Sequence, residues 1–166
     1  MSFSKKYDVD FSKEVNSLVQ EASVAYSTSF SKKEISYHDF LRNKMLIVHS
    51  IRKGISYSFF NKIKQTASFT DEDWADFLSI SIKSLQRYKN KVNYVFKSIH
   101  SEKIIELAEV ILLGNQVFDS TDNFYSWLKF PSIALGSMVP IELLKNSYGK
   151  EMVMEELNRI DQGIFV

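Results

Sequence analysis

The sequence predicts an all-α fold, and three observations point there. Five glycines and two prolines in 166 residues leave few positions that interrupt a helix. Apolar residues recur at a period of about 3.6 over long stretches. Helix start and stop signals bracket most of those stretches. A hydrophobic content of 45% and an aromatic content of 14% supply the apolar surface a packed core needs.

The elements follow in order. Ser12 is placed to cap a first helix, with Val15, Leu18, Val19 and Ala22 on one face. The serine-rich run from Ala25 to Lys33 reads as a loop. A second helix is predicted from about His38 to Lys53. Leu41, Met45 and Val48 form its apolar stripe, and Phe40, Ile47 and Ile51 widen it. Arg52 and Lys53 in its last turn, then Gly54, mark its end. A short helix from Ser58 to Gln65 buries Phe59, Phe60 and Ile63.

Thr70 opens the next helix, where Asp71, Glu72 and Asp73 meet the positive end of the backbone dipole and Thr70 with Asp73 approximates a capping box. Ser81 starts a helix to about Asn90. Ser101 is placed to cap a helix over about 101–117, with Ile104, Leu107, Ala108 and Ile111 in register. Ser120 or Thr121 opens a helix to about Lys129. Pro131 breaks the chain, and Pro140 suits the first position of the following helix. Gly149 separates that helix from a last one ending near Asp161, with Val153, Leu157 and Ile160 inward, and Gly163 stops it.

Charge divides the chain. Residues 45–100 carry nine basic and four acidic side chains, whereas residues 101–166 carry five and ten. A basic middle and an acidic end imply two surfaces with different partners. With no cysteine there is no disulfide, thiol catalysis or cysteine metal site, which fits a reducing cytoplasm. No apolar run reaches the length of a membrane span, and the start is not a secretory signal. His38, His49 and His100 lack ligand-spaced partners, so no metal is expected. No glycine-rich phosphate loop or nucleophile elbow occurs. No cofactor is expected, and the Trp127–Leu128 pair reads as core.

The pair of helices around Ser79 has the pattern of a helix-turn-helix. Ala75 is the small residue at the crossing, Trp74 and Leu78 face the core, Ile80 plugs the turn, and Leu85 and Tyr88 hold the second helix down. Ser79 stands where glycine is usual, which requires a positive φ or another turn. Lys83, Ser84, Gln86 and Arg87 face outward, with Lys89 and Lys91 just beyond. Lysine and arginine suit phosphates and guanine edges, glutamine suits adenine, and serine is permissive. Ser81 can present its backbone N–H to a phosphate. The same face also reads as an ordinary solvated surface.

The ordered set of motifs from Met45 onward resembles the MbcA/ParS/Xre antitoxin family, whose members pair with RES-domain toxins. The resemblance rests on LIVHSIRKGIS (46–56), SLQRYK (84–89), the Ser101–Glu102 pair, LLGNQVFDS, FYSWLKFPSIALGSMVPIELL (124–144) and YGKEMVMEELNRIDQGIFV. Gly136 is followed by Ser137 where a second glycine is common. The resemblance implies an Xre-like helix-turn-helix over 45–97 and a toxin-binding domain over 98–166; residues 1–44 lie outside it and read as a helical N-terminal extension without an assigned role. It implies a non-enzymatic bacterial antitoxin that neutralises a toxin acting on NAD, represses its operon and forms a homodimer. It places the toxin contact at Arg159, Gln162, Gly163, Ile164, Phe165 and Val166. Gly163 would release Ile164 and Phe165 from the helix as an apolar anchor, although Phe165 folded back on its own domain is the competing reading. A stand-alone helix-turn-helix regulator with a C-terminal dimerisation domain is the alternative function.

Overall fold

The computed structural model describes residues 9–27 and 34–164. The described residues form α1 (Ser12–Tyr26), α2 (Tyr37–Arg42), α3 (Lys44–Lys53), α4 (Tyr57–Gln65), α5 (Asp71–Phe77), α6 (Ile82–Asn90), α7 (Ser98–Phe118), α8 (Thr121–Lys129), a 3-10 turn (Ile133–Leu135), α9 (Pro140–Leu143) and α10 (Ser147–Asp161). No strand occurs among them, only two isolated antiparallel bridges, Ser56 with Val95 and Ser132 with Met138.

Five local expectations differ. Ser12 is not a cap; α1 starts after Phe11, and the Ser12 N–H donates to the Asp10 carboxylate. The helix predicted over 38–53 is two helices. Asn43 ends α2 and caps α3, accepting from the Leu46 N–H through its side chain. The break resets the phase, so Leu46 and Ser50 are buried while Met45 and Val48 stand about half exposed at 44% and 46%. Ser101 lies inside α7, not at its start, and is fully buried. Its hydroxyl accepts from the Ile55 N–H at 2.9 Å and donates to the Phe96 carbonyl at 3.2 Å, tying α7 to the chain on both sides of the helix-turn-helix. Gly149 lies in the first turn of α10, which Asn146 caps through the Gly149 N–H. A Cβ there would meet the Leu143 carbonyl oxygen at 2.0 Å, so the glycine permits close approach of α9 and does not break the helix. The loop expected from Ala25 begins later, because α1 runs to Tyr26; residues 28–33 of it lie outside the described residues.

The long α7 is the spine. α10, α3, α8 and α2 all pack on it. One continuous apolar cluster runs from Phe11 to Leu157. The N-terminal helices share this core: Phe11 stacks on Tyr37 at 3.8 Å and meets the edge of Phe59, while Val15 and Ala22 are fully buried. Ion pairs from Glu14 to Lys62 and from Glu21 to Lys53 fasten α1 to α4 and α3. Trp74 is the largest fully buried side chain, with Phe60, Phe69 and Phe77 around it at 5.0–6.2 Å in edge contacts.

Candidate functional site

The helix-turn-helix is formed by α5 and α6. Thr70 and Asp73 cap α5 reciprocally, each side chain accepting from the other's backbone N–H. The turn closes by two bonds: Ser79 N–H to the Asp76 carbonyl at 3.1 Å, and Ile80 N–H to the Ala75 carbonyl at 3.0 Å. That six-to-one closure needs a left-handed residue between the helices. Ser79 supplies it with φ +52°. Trp74, Ala75, Leu78 and Leu85 are buried, and Ile80 and Tyr88 pack against the core. Ser81 then caps α6 through the Ser84 N–H.

On α6 and just past it, Ser81, Lys83, Gln86, Arg87, Lys89 and Lys91 are exposed, and Ser84 is half-buried. The hydroxyls of Ser81 and Ser84 bond each other at 3.0 Å, so both serve the cap first. Arg87 lies over the Tyr88 ring and Lys91 over the Tyr94 ring, and the two rings stack at 4.0 Å. Tyr94 thus supports the cationic face from beyond the helix, a role that sequence spacing does not signal. The loop carrying it is held by the Tyr57 N–H on the Tyr94 carbonyl and the Phe96 N–H on the Ile55 carbonyl.

The residues expected to meet a toxin sit at the far end of α10. The Gly163 N–H bonds the Ile160 carbonyl at 3.0 Å, and the Ile164 N–H bonds the Arg159 carbonyl at 2.8 Å. Gly163 has φ +71°. The glycine therefore turns the chain and ties Ile164 back by its backbone while leaving its side chain half exposed, a more fixed exit than release from the helix. Arg159 pairs with Glu156 at 3.3 Å, and Gln162 is exposed. Phe165 and Val166 lie outside the described residues.

A polar seam joins α5 to the C-terminal helices. Asp73 accepts from the Tyr125 hydroxyl at 2.8 Å and from Lys129 at 3.2 Å, and Asp76 pairs with Lys145 at 2.7 Å. Burial works to raise the Asp73 carboxyl, but hydrogen bonds from the Thr70 backbone, Tyr125 and Lys129 outweigh it and hold the group below the ordinary aspartate value. A depressed folded-state value gives stability that is fully present above the unfolded value of about 3.9 and is lost as pH falls through the folded one. Asp73→Asn should therefore be less stable than the parent at neutral pH. The urea midpoints of the two proteins should converge on acidification.

Ser137, the second site where a glycine is common in the resembling family, is also left-handed, with φ +61°. A non-glycine residue there costs about 1–2 kcal/mol, partly offset in glycine by the entropy of its unfolded chain. Ser79→Gly and Ser137→Gly should each stabilise the fold by about 0.5–1 kcal/mol, raising Tm by up to about 4 °C. A thermal melt reads this directly.

No group of His, Asp or Glu residues among the described ones is arranged to hold a metal ion. No helix among them is long and apolar enough to cross a membrane.

Comparison with known proteins matches two adjoining segments of the chain. Residues 47–109 match the antitoxin Xre-like helix-turn-helix domain. Residues 113–163 match the antitoxin Xre/MbcA/ParS C-terminal toxin-binding domain. The chain is also similar to a Prs ADP-ribosylating antitoxin of Sphingobium sp. (strain YBL2), with 27% identity over 124 residues, covering 69% of this chain and 77% of the relative. The two matched segments meet inside α7, the helix on which both halves pack. Both domains of the Xre/MbcA/ParS antitoxins are thus matched in this chain, one after the other.

Proposed function

We propose that this protein is the antitoxin of a type II toxin–antitoxin pair, that its toxin carries a RES domain acting on NAD, and that it represses its own operon through α6. The carrying observation is the tandem match of a helix-turn-helix domain and a toxin-binding domain in one continuous core. The relative's name joins an antitoxin to ADP-ribosylation, a reaction whose ADP-ribosyl donor is NAD. A toxin pocket that binds an anionic dinucleotide carries positive charge. The excess of ten acidic over five basic side chains in residues 101–166 is complementary to it. The action is one of binding, with no catalytic step: the C-terminal end covers the toxin's active-site entrance, with Arg159, Gln162, Gly163, Ile164, Phe165 and Val166 as the contact residues. The site acts in the cytoplasm, and the antitoxin forms a homodimer that presents two α6 helices to an operator. The proposed division is a helical extension over 1–44, the DNA-binding region over 45–97 and the toxin-binding domain over 98–166.

Co-expression with the product of the adjacent open reading frame tests the pairing. Growth and cellular NAD should recover with the full chain and not with a chain ending at Asp161. Failure of the full chain to restore either overturns this pairing. For DNA, operator affinity should fall steeply with salt. Lys83→Ala and Arg87→Ala should each lower the slope of log K against log salt by about 1. Binding unchanged by both substitutions would remove α6 as the contact.

A further inference from the structure

Phe130 to Ile141 is a run of twelve residues without a charge, in a C-terminal segment otherwise rich in acids. The structure makes part of it a rigid protrusion. Ser132 and Met138 form an antiparallel bridge, with the Ser132 N–H on the Met138 carbonyl at 3.0 Å and the Ser137 N–H on the Ser132 carbonyl at 2.8 Å. The 3-10 turn between them is anchored by the buried Leu135 and closed by two left-handed residues, Gly136 and Ser137. This scaffold holds Ile133 84% exposed, Phe130 70% and Met138 42%. Three large apolar side chains on one short, hydrogen-bonded loop are not the scattered surface residues of an ordinary monomer. Aromatic residues and methionine in an uncharged centre with a charged margin are the composition of an interface core.

Resting on the antitoxin reading above, we infer that the Phe130–Met138 loop is a second docking point for the toxin, separate from the C-terminal tail. Three observations choose the toxin as occupant. The loop lies inside the segment that matches the toxin-binding domain. Its 3-10 turn packs on α10, the helix that carries exposed Tyr148 and Met152 and is followed by half-exposed Ile164, so loop and tail adjoin the same helix. The charges at its two ends are already engaged within the chain, Lys129 by Asp73 and Glu142 by Lys145, so the uncharged face offers a partner an apolar surface and no free ion. Because the loop is pre-ordered, docking loses little conformational entropy, and the tail then closes the toxin's entrance from a fixed starting point.

The test uses the full chain, with Ile133→Asp and Phe130→Asp prepared separately. Both side chains are exposed, so thermal stability should stay at the parent value. Affinity for the purified product of the adjacent open reading frame, measured by calorimetry, should fall by about 30-fold or more for each variant, the loss typical of an interface hot spot. The mass of the free variant by light scattering should match the parent. An affinity within threefold of the parent for both variants overturns the inference while leaving the antitoxin reading intact. A variant that changes from dimer to monomer with unchanged toxin affinity also overturns it, since the loop would then join two antitoxin copies. A parent chain that does not bind the product overturns the pairing itself, and the inference with it.

Discussion

Trp74→Ala should cost the fold about 3–5 kcal/mol, a large share of the about 5–15 kcal/mol that a native domain holds. The indole is fully buried and has aromatic neighbours from α4, α5 and the segment between them. Truncation opens a cavity that those rings cannot fill without leaving their own edge contacts. The effect should not stay local. The cluster containing Trp74 extends through α7 to Leu157, so toxin affinity should fall together with DNA affinity in a substitution far from the toxin-binding segment. Urea denaturation gives the loss. Trp74→Phe should cost less, because the phenyl ring refills much of the gap, while both variants equally remove an indole N–H that is buried without a hydrogen-bond partner. A loss below about 1 kcal/mol for the alanine variant would mean that the core relaxes around the gap.

Gly149→Ala should cost about 3 kcal/mol, although alanine is the better helix former. The added carbon would sit 2.0 Å from the carbonyl oxygen of Leu143 and 2.7 Å from its carbonyl carbon, both backbone atoms that no rotamer change can move. The first turn of α10 would have to lift from α9. Gly163→Ala is the matched control. It meets nothing within 4 Å and suffers only from its φ of +71°, so about 1–2 kcal/mol is expected. A melt of the two variants side by side separates steric exclusion from backbone strain, and equal losses would reject the distinction.

The pattern of residues carried the element order because amphipathic spacing and caps are local. Thr70 with Asp73 and Ser81 are legible as helix starts, since each signal lies within four residues. Asn43, Ser101 and Gly149 were not legible. A serine or asparagine bonds backbone groups equally well at a helix start or from within a helix, and only the neighbouring chain decides. Ser101 looks like a cap until Ile55, 46 residues earlier, is placed beside it. Gly149 looks like a breaker until Leu143 is seen against it. The cationic face of α6 was legible because exposure leaves residue type to function. Asp73 was legible only in its capping role. Its bond to Tyr125 spans 52 residues, and no spacing announces it. The two serines in place of glycine show the value of noting a departure: both adopt the left-handed backbone that glycine would have taken without strain.

The unbroken α7 limits how such an antitoxin can be recombined. Modules that exchange freely are joined by exposed linkers with few contacts across them. Here the segment matching the DNA-binding domain ends at residue 109 and the toxin-binding match begins at 113, both within one helix of 21 residues. A chimera that keeps this chain's first half and takes another antitoxin's second half must splice a helix whose faces already touch α2, α3, α8 and α10. Every side chain on it would need to suit both donors at once. On the proposed function, a new toxin or a new operator is reached far more simply by changing residues on the outer surfaces of α6, α10 and the Phe130 loop, with the spine left as it is.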